Sequence, residues 1–330
     1  MAHQLLLVKK DKTFDVSPLV GTIGWGSSIE ELGQSLTFDV AFNDSKVFPV
    51  NPCDIGDMVV LRNKGAEIYR GVIITEGRSG RAPLSYTSFD FAFYLNKSTA
   101  VYQFNKVSAG QAIAKILGDF GVPVGRLANM PTMIKKVFIN VVVSEIIRDI
   151  LASVEADQGH KLRMEMRAGK LYIEKQADLV VKGTFVLARG INERDVMTAI
   201  SGASRTRSIE EMKNSIKLVL SKSDDQYSIA ASAEDATLIT RYGLLQLTET
   251  IDEKDIAQAR NIARNRLKEF GRVLEDNSLE LIGDDRIRAG RLIVVDEPLT
   301  GMKGKYLIKS VSHSVKGGTH TMSLGLGVVD

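Results

Sequence analysis

Gly290-Arg291-Leu292-Ile293-Val294-Val295, Gly304-Lys305-Tyr306-Leu307-Ile308-Lys309-Ser310-Val311 and Thr319-His320-Thr321-Met322-Ser323-Leu324 read as three strands, the last entered through the turn Gly317-Gly318. Short β-branched and aromatic runs punctuated by glycine form a β-meander, because glycine supplies the turn conformations and branched side chains suit a pleated surface. The same order occurs far upstream: Gly56-Asp57-Met58-Val59-Val60-Leu61, then Ile68-Tyr69-Arg70-Gly71-Val72-Ile73-Ile74, then Leu84-Ser85-Tyr86-Thr87-Ser88-Phe89. Matching Gly56 to Gly290 and Tyr69 to Tyr306 predicts an internal duplication of a small β-domain. The competing reading is chance likeness between two meanders. Two copies are too few for a solenoid, which needs about three repeats.

Outward from the first copy, residues 4–8, 13–16 and 20–25 read as strands, and Leu36 to Phe42 alternates apolar with small or polar residues as a half-buried strand does. The texture changes after residue 97. Ser108 with Gln111 has the form of a capping box, Ile113, Ile116, Leu117 and Phe120 share a helical face, and Gly121 ends it. A second helix runs from Ser144 to Gly159, and Leu162 to Met166 with Leu171 to Ile173 reads as a hairpin with one apolar face. Strands return over 215–220 and 227–231, and a helix over 252–270 is predicted from Asp252, Ile256, Ala259, Ala263, Leu267 and Phe270. The fold class expected is mainly β with an α+β insert: a first tube-like barrel over 1–97, an insert over 98–185 and a second barrel over 186–330, against which the 252–270 helix packs.

The chain has 330 residues, 44% hydrophobic and 25% charged, with 43 basic and 40 acidic side chains for a net charge of +3. These are the proportions of an ordinary globular protein with material for two or three domains, and the charge balance asks for neither nucleic acid nor an anionic membrane. The single cysteine, Cys53, excludes a disulfide framework. The N-terminal residues lack the order of a signal peptide, and the longest apolar run, Val137 to Val143, is too short to span a bilayer, so a soluble chain without a membrane anchor is expected.

Catalytic chemistry is hard to find. His3 and His160 stand alone in sequence, whereas His313 and His320 flank the Gly317-Gly318 turn and face each other across a hairpin. With no third ligand nearby in sequence, a packing pair is favoured over a metal. Gly301-Met-Lys-Gly-Lys305 has half the spacing of a phosphate loop, but Tyr306 and a strand follow where a hydroxyl and a helix belong. The pairs Glu30-Glu31, Glu210-Glu211, Asp224-Asp225 and Asp284-Asp285 read as solvated turns and not as glycosidase acids, which need a cleft and an apolar pocket. Arg260, Arg264, Arg266 and Lys268 lack interleaved aromatics and read as a solvated helix face. Trp25, between Gly24 and Gly26, reads as a core or interface anchor. No catalytic, cofactor or metal residue is therefore assigned, and the interface residues are left open. A long chain rich in strand edges suggests assembly.

Val16-Ser-Pro-Leu-Val20 with Trp25, Leu36-Thr-Phe38, Gly56-Asp57-x-Val-x-Leu61, Tyr69-Arg70-Gly71-Val72-Ile73, Asp90 and Tyr94-Leu95-Asn96-Lys97 follow one another in an order that resembles the XkdQ/YqbQ-type tail proteins of defective prophages and phage-tail-like bacteriocins (tailocins). Phe120-Gly-Val-Pro123, Tyr242-Gly-x-Leu-Gln246 and His320-Thr-Met322 continue the likeness, over roughly residues 14–326. The chain departs from the pattern at Lys10-Asp11-Lys12, where the family often has Asn-Gly. The resemblance implies a non-enzymatic baseplate hub of a contractile injection system: two barrels per subunit, three subunits in a ring, six barrels matching the six-fold tube and a three-fold end matching the spike. It implies a homotrimer with the inner tail tube protein, the central spike protein and other baseplate proteins as partners, the tape measure protein being left open. It implies no cofactor, no specific nucleic acid, and assembly in the bacterial cytoplasm into a tail baseplate. The alternative from another class is a tail-associated peptidoglycan hydrolase or a cell-wall-binding module in residues 98–180, although no hydrolase module is recognised.

Overall fold

The computed structural model describes residues 3–10, 12–187, 198–222 and 226–329. Two compact units divide the chain: one is built from the residues up to Ala203 and from Ser278 onward, the other is Ser204–Asn277.

The larger unit opens with β1 (His3–Lys9), β2 (Lys12–Asp15), β3 (Val20–Ser28), β4 (Gln34–Val40), β5 (Met58–Asn63), β6 (Ala66–Gly77) and β7 (Leu84–Asp90). Their hydrogen-bonded order is β3-β4-β7-β6-β5-β1-β2. Alternation decides which face is buried: in β4, Leu36, Phe38 and Val40 point inward while Thr37 is exposed. They meet Leu5, Leu7, Val59, Leu61, Ile73 and Tyr86 in the first barrel's core. Each such side chain contributes about 1.5–3 kcal/mol on burial.

The middle region carries α1 (Ala92–Lys97), β8 (Thr99–Ser108), α2 (Ala109–Asp119), β9 (Val124–Leu127), β10 (Met133–Val142), α3 (Val143–Gln158), β11 (Leu162–Arg167) and β12 (Lys170–Lys175). The capping box forms: the Ser108 hydroxyl accepts from the Gln111 backbone N–H and donates to the Gln111 side chain at 2.9 Å. Gly159 closes α3 in the left-handed region at φ 71°. Ile113, Ile116, Ile147, Ile150 and Val154 of the two helices pack on Met166, Leu171 and Ile173 of the predicted hairpin. The short α1 had no signal in the sequence reading.

The second barrel uses β13 (Val180–Leu187) and β14 (Ala199–Ser208). The chain then passes through the smaller unit, which holds β15 (Ser215–Lys222), β16 (Gln226–Glu234), α4 (Ala236–Tyr242), β17 (Gln246–Ile251) and α5 (Ala259–Phe270). It returns as β18 (Leu274–Ile282), β19 (Leu292–Glu297), β20 (Met302–Lys316) and β21 (Thr319–Val328). The ring β13-β19-β20-β21-β18-β14 closes on itself through β13–β14.

The duplication is visible strand for strand. Replacing β13, β14, β18, β19, β20 and β21 by β1, β3, β4, β5, β6 and β7 turns the second order into the first. The one difference in sense is the opening strand: β1 is antiparallel to β5, whereas β13 is parallel to β19. Backbone detail repeats as well. Gly56 donates to the Ile73 carbonyl at 2.9 Å and Ile73 to the Asp57 carbonyl at 2.9 Å; Gly290 donates to the Ile308 carbonyl at 2.7 Å and Ile308 to the Arg291 carbonyl at 2.9 Å. Both glycines sit at positive φ, 89° and 83°, where a side chain is strained. A register irregularity follows Ile73 in one copy and Ile308 in the other. The tyrosine match is thereby corrected: Tyr69 lies opposite Leu61 and Tyr306 opposite Ile293, two places apart once Gly56 is set on Gly290. Similar spacing of bulky residues misled the alignment, whereas the glycine-anchored hydrogen bonds define it.

The 252–270 helix also needs correction. Glu253–Gln258 is a 3-10 segment and the α-helix begins at Ala259. Its packing within the smaller unit is clear. Its buried Ala259 and Ala263 cover Ile216, Leu218 and Ala231 of the three-stranded sheet β16-β15-β17, which forms the smaller unit's own core. That unit fills the connection β14→β18, whose counterpart β3→β4 is a short turn over residues 29–33.

Candidate functional site

The two barrels are fused by β3, which pairs with β4 on one side and with the second half of β20 on the other, from Ser28↔Ser310 to Thr22↔Lys316. This register sets Trp25 directly opposite His313. Their rings stack at 4.8 Å with planes 9° apart. The strands of both barrels then deliver polar side chains around that pair. His3 comes from β1, Asn63 from the end of β5, Asp285 from the loop before β19, and His320 from β21. His3 Nε2 lies 3.1 Å from Asp285 Oδ1, the Asn63 amide donates to Asp285 Oδ2 at 2.5 Å, and His320 Nδ1 stands 3.8 Å from Asp285 Oδ1. On its other side His320 Nε2 meets His313 Nδ1 at 3.1 Å, and His313 Nε2 donates to the Ile287 carbonyl at 3.1 Å. Gly283 makes room for the His320 ring, since a Cβ there would come within 2.1 Å of it.

The cluster is largely dry: His3 is 5% exposed and His313 2%. Burial disfavours imidazolium, so it lowers the His320 pKa and pushes that of His313 down to about 4. For Asp285 burial works against the charge, but hydrogen bonds from His3 and Asn63 outweigh it and hold the carboxyl below its ordinary value.

A second polar junction ties the middle region to the barrels. Glu165 on β11, 7% exposed at its side chain, takes two hydrogen bonds from Arg291, at 2.7 and 3.2 Å, and one from Arg167. Arg288 reaches the Ile68 carbonyl of the first barrel at 2.9 Å and the Met166 carbonyl at 3.3 Å. Arg163 donates to the carbonyls of Ser28 and Ile29. Burial opposes the charge on Glu165, yet Arg291, Arg167 and Arg288 more than offset it and lower its pKa.

The structure thus adds two residues to a pair already evident in sequence. His313 and His320 meet as expected, but His3, set aside as terminal, and Asp285, read as a solvated turn, complete the cluster. No local signal marks them, since His3 and Asp285 are 282 residues apart. Trp25 is a buried anchor at the junction. The other candidates stay dispersed. His160 Nδ1 meets the nearby Gln158 carbonyl at 3.3 Å, Glu31, Glu210 and Glu211 are exposed, and Asp224-Asp225 lies outside the described residues. Lys305 continues straight into β20, with no helix to complete a phosphate loop. Arg266 is engaged by Glu249 and Glu269 on its own unit.

Duplicated barrels locked together by a buried polar seam define a two-barrel β protein. The fold matches the 43 kDa tail protein of prophage MuSo2 from Shewanella oneidensis, with a TM-score of 0.71 over 98% of each chain at 13% identity. The chain belongs to the YqbQ-like family, whose profile matches residues 23–327. It is 29% identical over 274 residues to the YqbQ protein of Bacillus subtilis (strain 168), covering 82% of this chain and 80% of that one. It is 28% identical over 273 residues, with the same coverage, to the phage-like element PBSX protein XkdQ of the same strain.

Proposed function

We propose that the chain is the non-enzymatic baseplate hub of a contractile tail or tailocin. In this role it forms a homotrimeric ring between the six-fold inner tube and the three-fold spike and lines part of the central channel. The first barrel falls within residues 1–97; the second is built from β13, β14 and β18 to β21, so it opens at Val180 and not at residue 186, and the elements between α1 and β13 brace the two. The inner tube protein, the spike and other baseplate proteins are its partners.

The observation that carries this reading is the junction inside the chain. Strand β3 of the first barrel pairs with the second half of the long strand β20 of the next. Their counterparts are β14 and β6. Among the described residues, β6 beyond Ile73 has β7 on one side and no strand on the other, and β14 beyond Ile200 has β18 on one side and no strand on the other. The same junction, repeated between chains, joins Ser201–Ala203 of one copy to Thr75–Gly77 of the next. An interface that uses two different patches is head-to-tail, and it closes into a ring when its rotation divides the full turn. Alternating it with the internal junction produces two barrels per subunit and six in a trimer. Open strand edges invite such pairing.

Light scattering on the purified chain, alone and with its spike, tests the stoichiometry, with a homogeneous trimer expected. Hydrogen exchange then reads the edges: amides at 74–77 and 201–203 slow on trimer formation while those of β12 do not change. A stable monomer in the presence of the spike that clears purified cell walls sinks the hub reading and supports a hydrolase.

A further inference from the structure

The hydrogen-bond chain through the seam specifies where protons sit. The Ile287 carbonyl only accepts, so His313 Nε2 carries a proton. His313 Nδ1 lies 3.1 Å from His320 Nε2, so the two rings share a hydrogen bond on that side. The other nitrogen of His320, Nδ1, faces Asp285 Oδ1 at 3.8 Å, too far for a direct hydrogen bond. A ring nitrogen and a carboxylate oxygen set across such a gap are the donor types that a metal cation bridges. His3 Nε2 converges on the same carboxylate from the opposite barrel at 3.1 Å, and the three donor atoms all lie within 4.8 Å of one another.

We infer that His3, Asp285 and His320 bind one divalent transition-metal ion of the zinc class, which staples the first barrel to the second. Two imidazole nitrogens and one carboxylate suit zinc, cobalt, nickel or iron, and not calcium or magnesium, which take oxygen ligands. Bonds of about 2.0–2.1 Å place tetrahedral ligand atoms roughly 3.3 Å apart; the 3.1 and 3.8 Å to Asp285 lie near that value, and the two histidine nitrogens, within 4.8 Å of each other, draw together on binding. Asn63 holds the second oxygen of Asp285, and His313 holds the far nitrogen of His320, the outer hydrogen bonds that orient metal ligands and fix their tautomer. Asp285 and His320 keep 16% and 11% of their side chains exposed, so the ligand set is not sealed from solvent. The inference rests on the seam alone and is independent of the hub proposal. The alternative occupant of the gap is a proton on His320.

The test uses the untagged full chain, stripped with chelator and titrated with Zn²⁺ by calorimetry. One equivalent is expected, with a dissociation constant of micromolar order or tighter. Co²⁺ should develop the intense visible bands of a tetrahedral site. His320→Gln and Asp285→Asn each remove one of three ligands and should weaken binding at least about 100-fold. His313→Asn keeps all three but loses the orienting acceptor, and about 10–100-fold is expected. His160→Gln, outside the cluster, should bind as the parent does. Circular dichroism in chelator confirms that each variant is folded before titration. Absence of a one-to-one heat, or Zn²⁺ affinity unchanged in folded His320→Gln, overturns the inference in favour of a proton-occupied pair.

Discussion

Replacing Glu165 by alanine should be among the most damaging single changes in the larger unit. Its carboxylate is 7% exposed and bonded to Arg291, itself 11% exposed, and to Arg167. Arg288, buried against the Ile68 and Met166 carbonyls, feels the same negative charge. Removing that charge leaves buried guanidinium groups uncompensated, a loss of about 3–5 kcal/mol where one partner of a buried pair is deleted. A domain of this size shifts its melting midpoint by about 2–4 °C per kcal/mol, so Glu165→Ala should melt about 6–20 °C lower by circular dichroism. Adding Arg291→Leu should restore at least half of the loss, because the unpaired cation goes with it and the pair is coupled. The pH dependence follows from the lowered Glu165 pKa: its contribution is fully present above its unfolded value near 4.5 and fades as pH falls through the lower folded value. A midpoint change under 2 °C, or a double variant that loses the sum of both single losses, would refute the claim that this junction is a coupled buried ion cluster.

Asp90 should act in the opposite sense. Burial pushes its pKa up from 3.8 to about 7 against the backbone N–H bonds from Ala92 and Gln34, so stability should decline as pH rises from about 4 through 7, by up to about 4 kcal/mol. Asp90→Asn should flatten that slope in urea melts taken across this range, and an unchanged slope rejects the assignment. Gly56→Ala and Gly290→Ala should each cost about 1–2 kcal/mol, since both replace a glycine at positive φ in equivalent hydrogen bonds, and a neutral result at either position contradicts the equivalence. Gly283→Ala should displace the His320 ring and change the seam histidine signals in NMR spectra, and spectra like the parent's would show that the ring has other room. Replacing residues 209–273, the connection between β14 and β18, by a short turn should leave the barrels folded with a cooperative melt, because the counterpart connection in the first barrel is already a turn.

Much of the fold was legible in sequence because its causes are local. The alternation of Leu36, Phe38 and Val40 selects the buried face of β4, Ser108 with Gln111 starts α2, Gly159 ends α3, and Gly56 and Gly290 open the two meanders. These signals act within a few residues, through side-chain period and backbone conformation. They also carry the resemblance that led to the family. Where local signals were ambiguous the reading erred: the strand Gln246–Ile251 and the helix Ala236–Tyr242 were missed, and one helix was drawn where a 3-10 segment and a shorter helix stand.

The amino-acid sequence by itself determined the β-meanders, their duplication, the helical insert and the membership of a tail-protein family, since periodicity, capping and glycine placement need no distant partner. Tertiary structure alone decided that Tyr69 and Tyr306 are not equivalent, that residues 204–277 form a unit with its own core, and that β3 and β20 fuse the barrels. It alone brought His3 to Asp285 and His320. Sheet pairing is a contact between segments hundreds of residues apart, and the chemistry of a seam depends on register across that distance, which no local pattern encodes.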